Sequence, residues 1–169
     1  MFEFQVSVPF VPRWQHVELL RTAVLNCLTT MFQAHDFCDQ LAMVAAELLE
    51  NAVHYGKKDA DERFGFRLEV RGDEARVTIE VRNPGVTDPH DLDRLKETLA
   101  QLSGTDPRAA YIARLKELAA RPEVGGSGLG LFRVAFETGC DLHAEVDSDG
   151  LVIVRAVVHA NRPPPDPEV

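Results

Sequence analysis

Hydrophobic positions change period several times along the chain, and each change marks an element. Residues 4–11 (FQVSVPFV) alternate apolar and polar side chains, the period of a half-buried strand, with Pro9 marking an edge or an end. From Pro12 the spacing becomes three and four. Trp14, Val17, Leu20, Val24, Leu28 and Met31 fall on one helical face, and a first-turn proline costs that helix no hydrogen bond. The pattern breaks at residues 34–36. A second helix is predicted over about 37–55, with Leu41, Val44, Ala45, Leu48, Ala52 and Tyr55 as its stripe and Gly56 as its C-terminal stop. Residues 64–70 and 75–81 read as strands joined by the Arg71-Gly72-Asp73-Glu74 turn.

The stretch 86–124 has a different character. Asp88-Pro89 and Asp106-Pro107 each look like an N-cap followed by a first-turn proline. Leu92, Leu95, Leu99 and Leu102 form one short stripe, and Ile112, Leu115, Leu118 and Ala119 another. These stripes read either as packing against the body or as part of a partner surface. The glycine-rich run 125–131 leads into a helix through Phe132, Val134, Ala135 and Phe136, which Gly139 ends. Residues 142–146 and 151–158 form a last hairpin across Asp147-Ser148-Asp149-Gly150.

Hairpins impose antiparallel pairing. The expected fold class is therefore α/β in composition, an α+β two-layer sandwich with helices on one face of a mixed, mostly antiparallel sheet. The chain of 169 residues suits one domain over 1–160, with a Pro-rich tail, 161–169, expected to be disordered. With 27 Asp+Glu against 18 Lys+Arg, the formal net charge is -9, which disfavours nucleic acid and anionic membrane as partners but does not exclude a small anion held in a local pocket. Cys27, Cys38 and Cys140 form no CxxC pair and read as reduced thiols of a cytoplasmic protein. Neither a signal peptide nor a membrane span is expected.

Two features carry candidate chemistry. Glycines in Gly126-Ser127-Gly128-Leu129-Gly130 let backbone N–H groups converge where a helix opens, a geometry suited to phosphate; alone, the run reads equally as a flexible linker. Glu47 and Asn51 stand four apart on the second helix, one above the other beside its apolar stripe, with Tyr55 one step further. The Asn carbonyl oxygen suits Mg2+ and the Glu suits a general base, although an ordinary surface pair has the same spacing.

The order of these pieces is specific: E-x-x-x-N on a helix, N-x-G after a strand, a helical insert, then G-x-G-L-G-L opening a helix. It resembles the GHKL (Bergerat-fold) ATP-binding family, which includes histidine kinases and anti-sigma-factor kinases. The resemblance spans about residues 4–158. It implies an N box over residues 47–55, a first glycine box at Asn83-Pro84-Gly85 and a second over 126–131. By that resemblance Glu47 is the base and Asn51 the Mg2+ ligand. His54, Tyr55, Asn83, Gly85, Gly126, Ser127, Gly128, Leu129 and Gly130 contribute to ATP binding, and 86–124 is the ATP lid. Two departures stand out. Asn83 occupies the place of an adenine-binding Asp, and Thr87 that of a second glycine, so weaker ATP binding, or tolerance of a different base, is expected. His54 replaces a lysine frequent in histidine kinases, with Lys57 and Lys58 next to it.

Only about forty residues precede the N-box helix, a layout resembling stand-alone bacterial anti-sigma-factor serine/threonine kinases. The resemblance implies ATP and Mg2+ as cofactors and a Ser/Thr on a STAS-domain antagonist as the phosphoacceptor, with a sigma factor or other regulator as a further protein partner. A homodimer stays open. The alternatives are a non-catalytic module that sequesters a partner, and a detached histidine-kinase ATPase domain.

Overall fold

The computed structural model describes residues 1–8, 14–120 and 128–160, with the backbone alone at residue 14. Expectations that fall on residues 9–13, 121–127 and 161–169, including the roles of Gly126 and Ser127 and the character of the tail, lie outside the described residues.

Strand β1 (Phe2–Val6) is followed by helices α1 (Trp14–Thr29) and α2 (His35–Tyr55). The hairpin β2 (Arg67–Gly72) and β3 (Arg76–Asn83) comes next, then helices α3 (Pro89–Gly104), α4 (Pro107–Ala120) and α5 (Gly130–Thr138), and last the hairpin β4 (Asp141–Val146) and β5 (Val152–His159). The sheet has order β1-β2-β3-β5-β4, and each of its pairings is antiparallel. Helices gather on one face, giving the expected α+β two-layer sandwich.

Register explains the two faces. Phe4 lies opposite Val70, Val70 opposite Ile79, and Ile79 opposite Ala156, so alternate residues of four strands point the same way. That face packs on α2, whose Leu41, Val44, Ala45, Leu48, Leu49 and Ala52 are all buried. Helix α1 covers α2 with Val17, Val24 and Leu28, whereas Met31, beyond the end of α1, is 40% exposed. Leu92, Leu95, Leu99 and Leu102 of α3 pack partly buried against the same core, while Ile112 and Leu115 of α4 stay exposed. Both Asp-Pro starts behave as caps: Asp88 accepts from the His90 N–H, and Asp106 from the Ala109 N–H.

Some boundaries differ from the pattern. Strand β1 stops at Val6, opposite Leu68, and Val8 is already 45% exposed. Helix α2 begins at His35, two residues earlier than its stripe suggests, because the Cys38 N–H bonds the Ala34 carbonyl. Gly56 does end α2, but in an extended conformation (φ -73°) rather than a left-handed one. Its requirement is space: a Cβ there would strike the Ala52 carbonyl and the Phe64 ring.

The other sheet face carries charge. Glu80 is 1% exposed and accepts hydrogen bonds from Arg155, at 2.7 Å, and from Arg82. Burial pushes its carboxyl up, but the two guanidinium partners outweigh burial and hold it below the ordinary glutamate value. A carboxylate so held stabilises the fold fully above the unfolded-state value and loses that contribution as pH falls through the depressed folded value. Glu80→Gln should therefore cost about 2 kcal/mol at neutral pH, since two charged hydrogen bonds are weakened. Chemical denaturation should show the difference from wild type shrinking below about pH 4. A difference independent of pH would contradict the pairing.

Candidate functional site

Helix α2 and the sheet diverge near the C-terminal end of α2, and α3 closes the gap. The resulting cleft is lined by Asn51, Ala52, Tyr55 and Gly56 from α2 and its end, by Asn83, Val152 and Val154 from the sheet, and by Val86, Gly128 and Leu131. Asp91, Arg94, Leu95 and Thr98 supply the α3 wall. These four follow i, i+3, i+4, i+7 spacing and so share a helix face. The leucine stripe pointed to Leu95 alone; the polar residues flanking it were the available signal for the rest. Asp91 and Arg94 pair at 3.1 Å, with the Asp91 side chain 13% exposed.

Two backbone segments are laced together at the cleft mouth. Lys57 N–H donates to the Gly85 carbonyl, at 3.1 Å, and Thr87 N–H to the Tyr55 carbonyl, at 2.9 Å. The Thr87 hydroxyl donates to the Gly56 carbonyl at 3.2 Å. Thr87, in place of a glycine, thus fastens the chain after β3 to the end of α2. Gly85 adopts φ +84°, a conformation L side chains rarely take. Asn83 is 3% exposed, and one N–H of its amide donates to the Gly85 carbonyl at 2.7 Å. Its carbonyl oxygen remains as its acceptor.

Asn51 has a buried amide nitrogen with no hydrogen-bond partner among the described residues, an exception in a folded interior. Among the described residues no group of three His, Cys, Asp or Glu side chains could hold a metal ion. An amide oxygen fits a hard cation such as Mg2+ when the remaining ligands are water and phosphate oxygens. Asn51 can thus hold the metal only together with an anionic ligand.

Glu47 faces a neighbouring polar pocket between α1, α2 and α5, lined by Glu18, Arg21, Glu50, Leu129, Gly130 and Arg133 among others. Gly130 stands between the two cavities. A Cβ on it would strike the Glu47 carboxylate and come within 3.7 Å of the Asn51 amide nitrogen. Glycine at 130 is therefore what lets α5 begin directly against both side chains. Burial pushes the Glu47 carboxyl up, Arg133 opposes that, and Glu137 adds to it. Glu50 is pushed up by burial and by the charges of Glu47 and Glu18. A carboxylate with raised proton affinity at a helix N-terminus is suited to accept a proton.

The structure thus brings Asn51, Tyr55, Asn83 and Gly128 into one cleft, with Gly85 laced to its mouth and Glu47, Leu129 and Gly130 at the adjoining pocket. His54 does not join them; it is exposed, and its ring meets Tyr55 edge-on at 4.5 Å. Lys57 and Lys58 are exposed too, the latter 3.9 Å from Glu62. Arg133 and Arg114 were not foreseen. Arg114 of α4 lies against Gly128, where a Cβ would meet its Nη2 at 2.6 Å, and its Nε is buried without a partner among the described residues.

Residues 10–153 match the family model described as "Histidine kinase-like ATPase domain". Among solved structures, a chain of the SiaB-SiaC complex from Pseudomonas aeruginosa is similar, with a TM-score of 0.63 and 19% identity over 90% of this chain and 88% of that one, a likeness of fold. No curated protein sequence matches.

Asn83→Asp replaces a donor with a carboxylate facing the Gly85 carbonyl. It should lower the stability of the nucleotide-free protein by about 1–3 kcal/mol, measured by denaturation. Unchanged stability would show that the Asn83–Gly85 bond contributes nothing.

Proposed function

Because the chain belongs to the histidine kinase-like ATPase domain family, we propose that it binds ATP with Mg2+ in the α2–α3 cleft and transfers the terminal phosphoryl group to a Ser or Thr hydroxyl of a protein partner. The observation that carries this reading is the junction at Gly130, where the buried, unpartnered Asn51 amide and the Glu47 carboxylate meet the start of one helix. The matched family supports use of ATP. The similar structure is a complex of two proteins, which supports a protein partner.

Residue roles follow from position. The apolar walls Ala52, Val86, Leu95 and Val154 suit the faces of a purine base, with the Asn83 carbonyl oxygen as acceptor for an exocyclic amino group. Gly128, Leu129 and Gly130 lead the backbone into α5, whose N-terminus favours phosphate. Asn51 would hold Mg2+, which supplies charge neutralisation on the phosphates when bound. Glu47 accepts the hydroxyl proton as the oxygen attacks phosphorus, and ADP carries away the bridging oxygen. Helices α3 and α4 act as the lid, within about 86–124, and α3 already forms one wall. The partner is proposed to be a STAS-domain antagonist, with a sigma factor as a further regulator.

Asn83 favours a second reading. Its place lacks a carboxylate, and part of its amide is committed to Gly85. The domain would then work by sequestering a partner without transfer.

Calorimetric titration with ATP and Mg2+ should give saturable heat, and labelled ATP should leave acid-stable label on a partner hydroxyl. Glu47→Gln should retain ATP binding and lose transfer by about 10²–10⁴-fold. ATP binding without any transfer would support the sequestering module, acid-labile label would indicate a histidine acceptor, and no heat at millimolar ATP would end both nucleotide readings.

A further inference from the structure

Arg133 lies one turn into α5, three residues after Gly130, and so shares the helix face turned toward α2. Its Nη1 sits 3.3 Å from Glu47 Oε1, and its Nε donates to Glu137 Oε1 at 2.8 Å. The guanidinium therefore forks between a carboxylate of α2 and one of its own helix. The second Glu47 oxygen, Oε2, faces Gly130. One oxygen is held by a cation and the other is packed against the first residue of α5.

The carboxylate is 16% exposed on its side chain, against 44% for Arg133. Other charges face the same space: Glu50 on α2, Glu18 and Arg21 on α1, and Glu137 on α5. Of these, Arg21 is the other cation, and no ion pair joins it to Glu47 among the described residues.

We propose that Arg133 is the positioning residue for Glu47, fixing its carboxylate at the α5 N-terminus with Oε2, the oxygen outside the ion pair, as the one that takes the proton. The inference rests on Glu47 being the base of the proposed reaction. The sequence motif does not supply this residue. It follows from the ion pair and from the close approach of the two helices.

ADP release from ATP and Mg2+, with water as the acceptor, gives a turnover assay that needs no identified partner. Arg133→Met should lower kcat about tenfold while the calorimetric ATP Kd stays within about twofold. Arg133→Lys keeps the charge and should recover most of the loss. In nucleotide-free protein, the melting-temperature losses of Glu47→Gln and Arg133→Met should not add in the double variant, as for residues in direct contact. The inference is overturned if Arg133→Met keeps wild-type kcat, if Arg133→Lys is no better than Arg133→Met, or if the melting losses simply add. Glu47→Gln run alongside separates the two levels: if it retains turnover, the base assignment itself falls; if it loses turnover while Arg133→Met does not, Arg133 alone is excluded.

Discussion

The close approach of α5 to α2 is the constraint on which the rest depends. Helix α2 buries one flank on the sheet and the other under α1, so Glu47 and Asn51 emerge only along the edge where α5 arrives. Glycine at position 130 lets the Glu47 carboxylate sit where a Cβ would otherwise meet it. That contact turns a helix N-terminus toward a carboxylate and an amide at once. Two cavities then open on either side of it, one largely apolar and one polar.

Much of this was legible in the chain. Alternating and three-to-four spacing gave the elements, hairpins gave the antiparallel sheet, and the Asp-Pro pairs gave the helix starts. Spacing also placed Glu47 and Asn51 on one helical row. What was not legible depends on tertiary approach. Gly56 reads as a left-handed stop, yet it is a glycine because Phe64 crosses above it. Thr87 reads as a lost glycine, yet it fastens two segments of the cleft mouth. Arg133 has no sequence signal, since its partner lies 86 residues away. His54, by contrast, stands in the right row for the site and turns outward.

Net charge proved a poor guide to the ligand and a better one to the surface. An excess of acidic residues, -9 overall, coexists with the proposed binding of a polyanion, because backbone N–H groups, a helix terminus and a divalent cation would act locally. Part of the acidity is spent inside the fold: Glu80 is buried in the sheet's outer face between two arginines. The remainder leaves room for a partner with a basic docking face, which charge would steer.

Hydrogen–deuterium exchange with and without ATP and Mg2+ tests the central claim most directly, because it reads where the ligand acts rather than whether it binds. Protection should appear together in residues 51–56, 83–87, 91–98 and 128–131, the four segments that line the cleft and its mouth. Protection absent from these segments, or confined to the charged outer face of the sheet, would contradict the account.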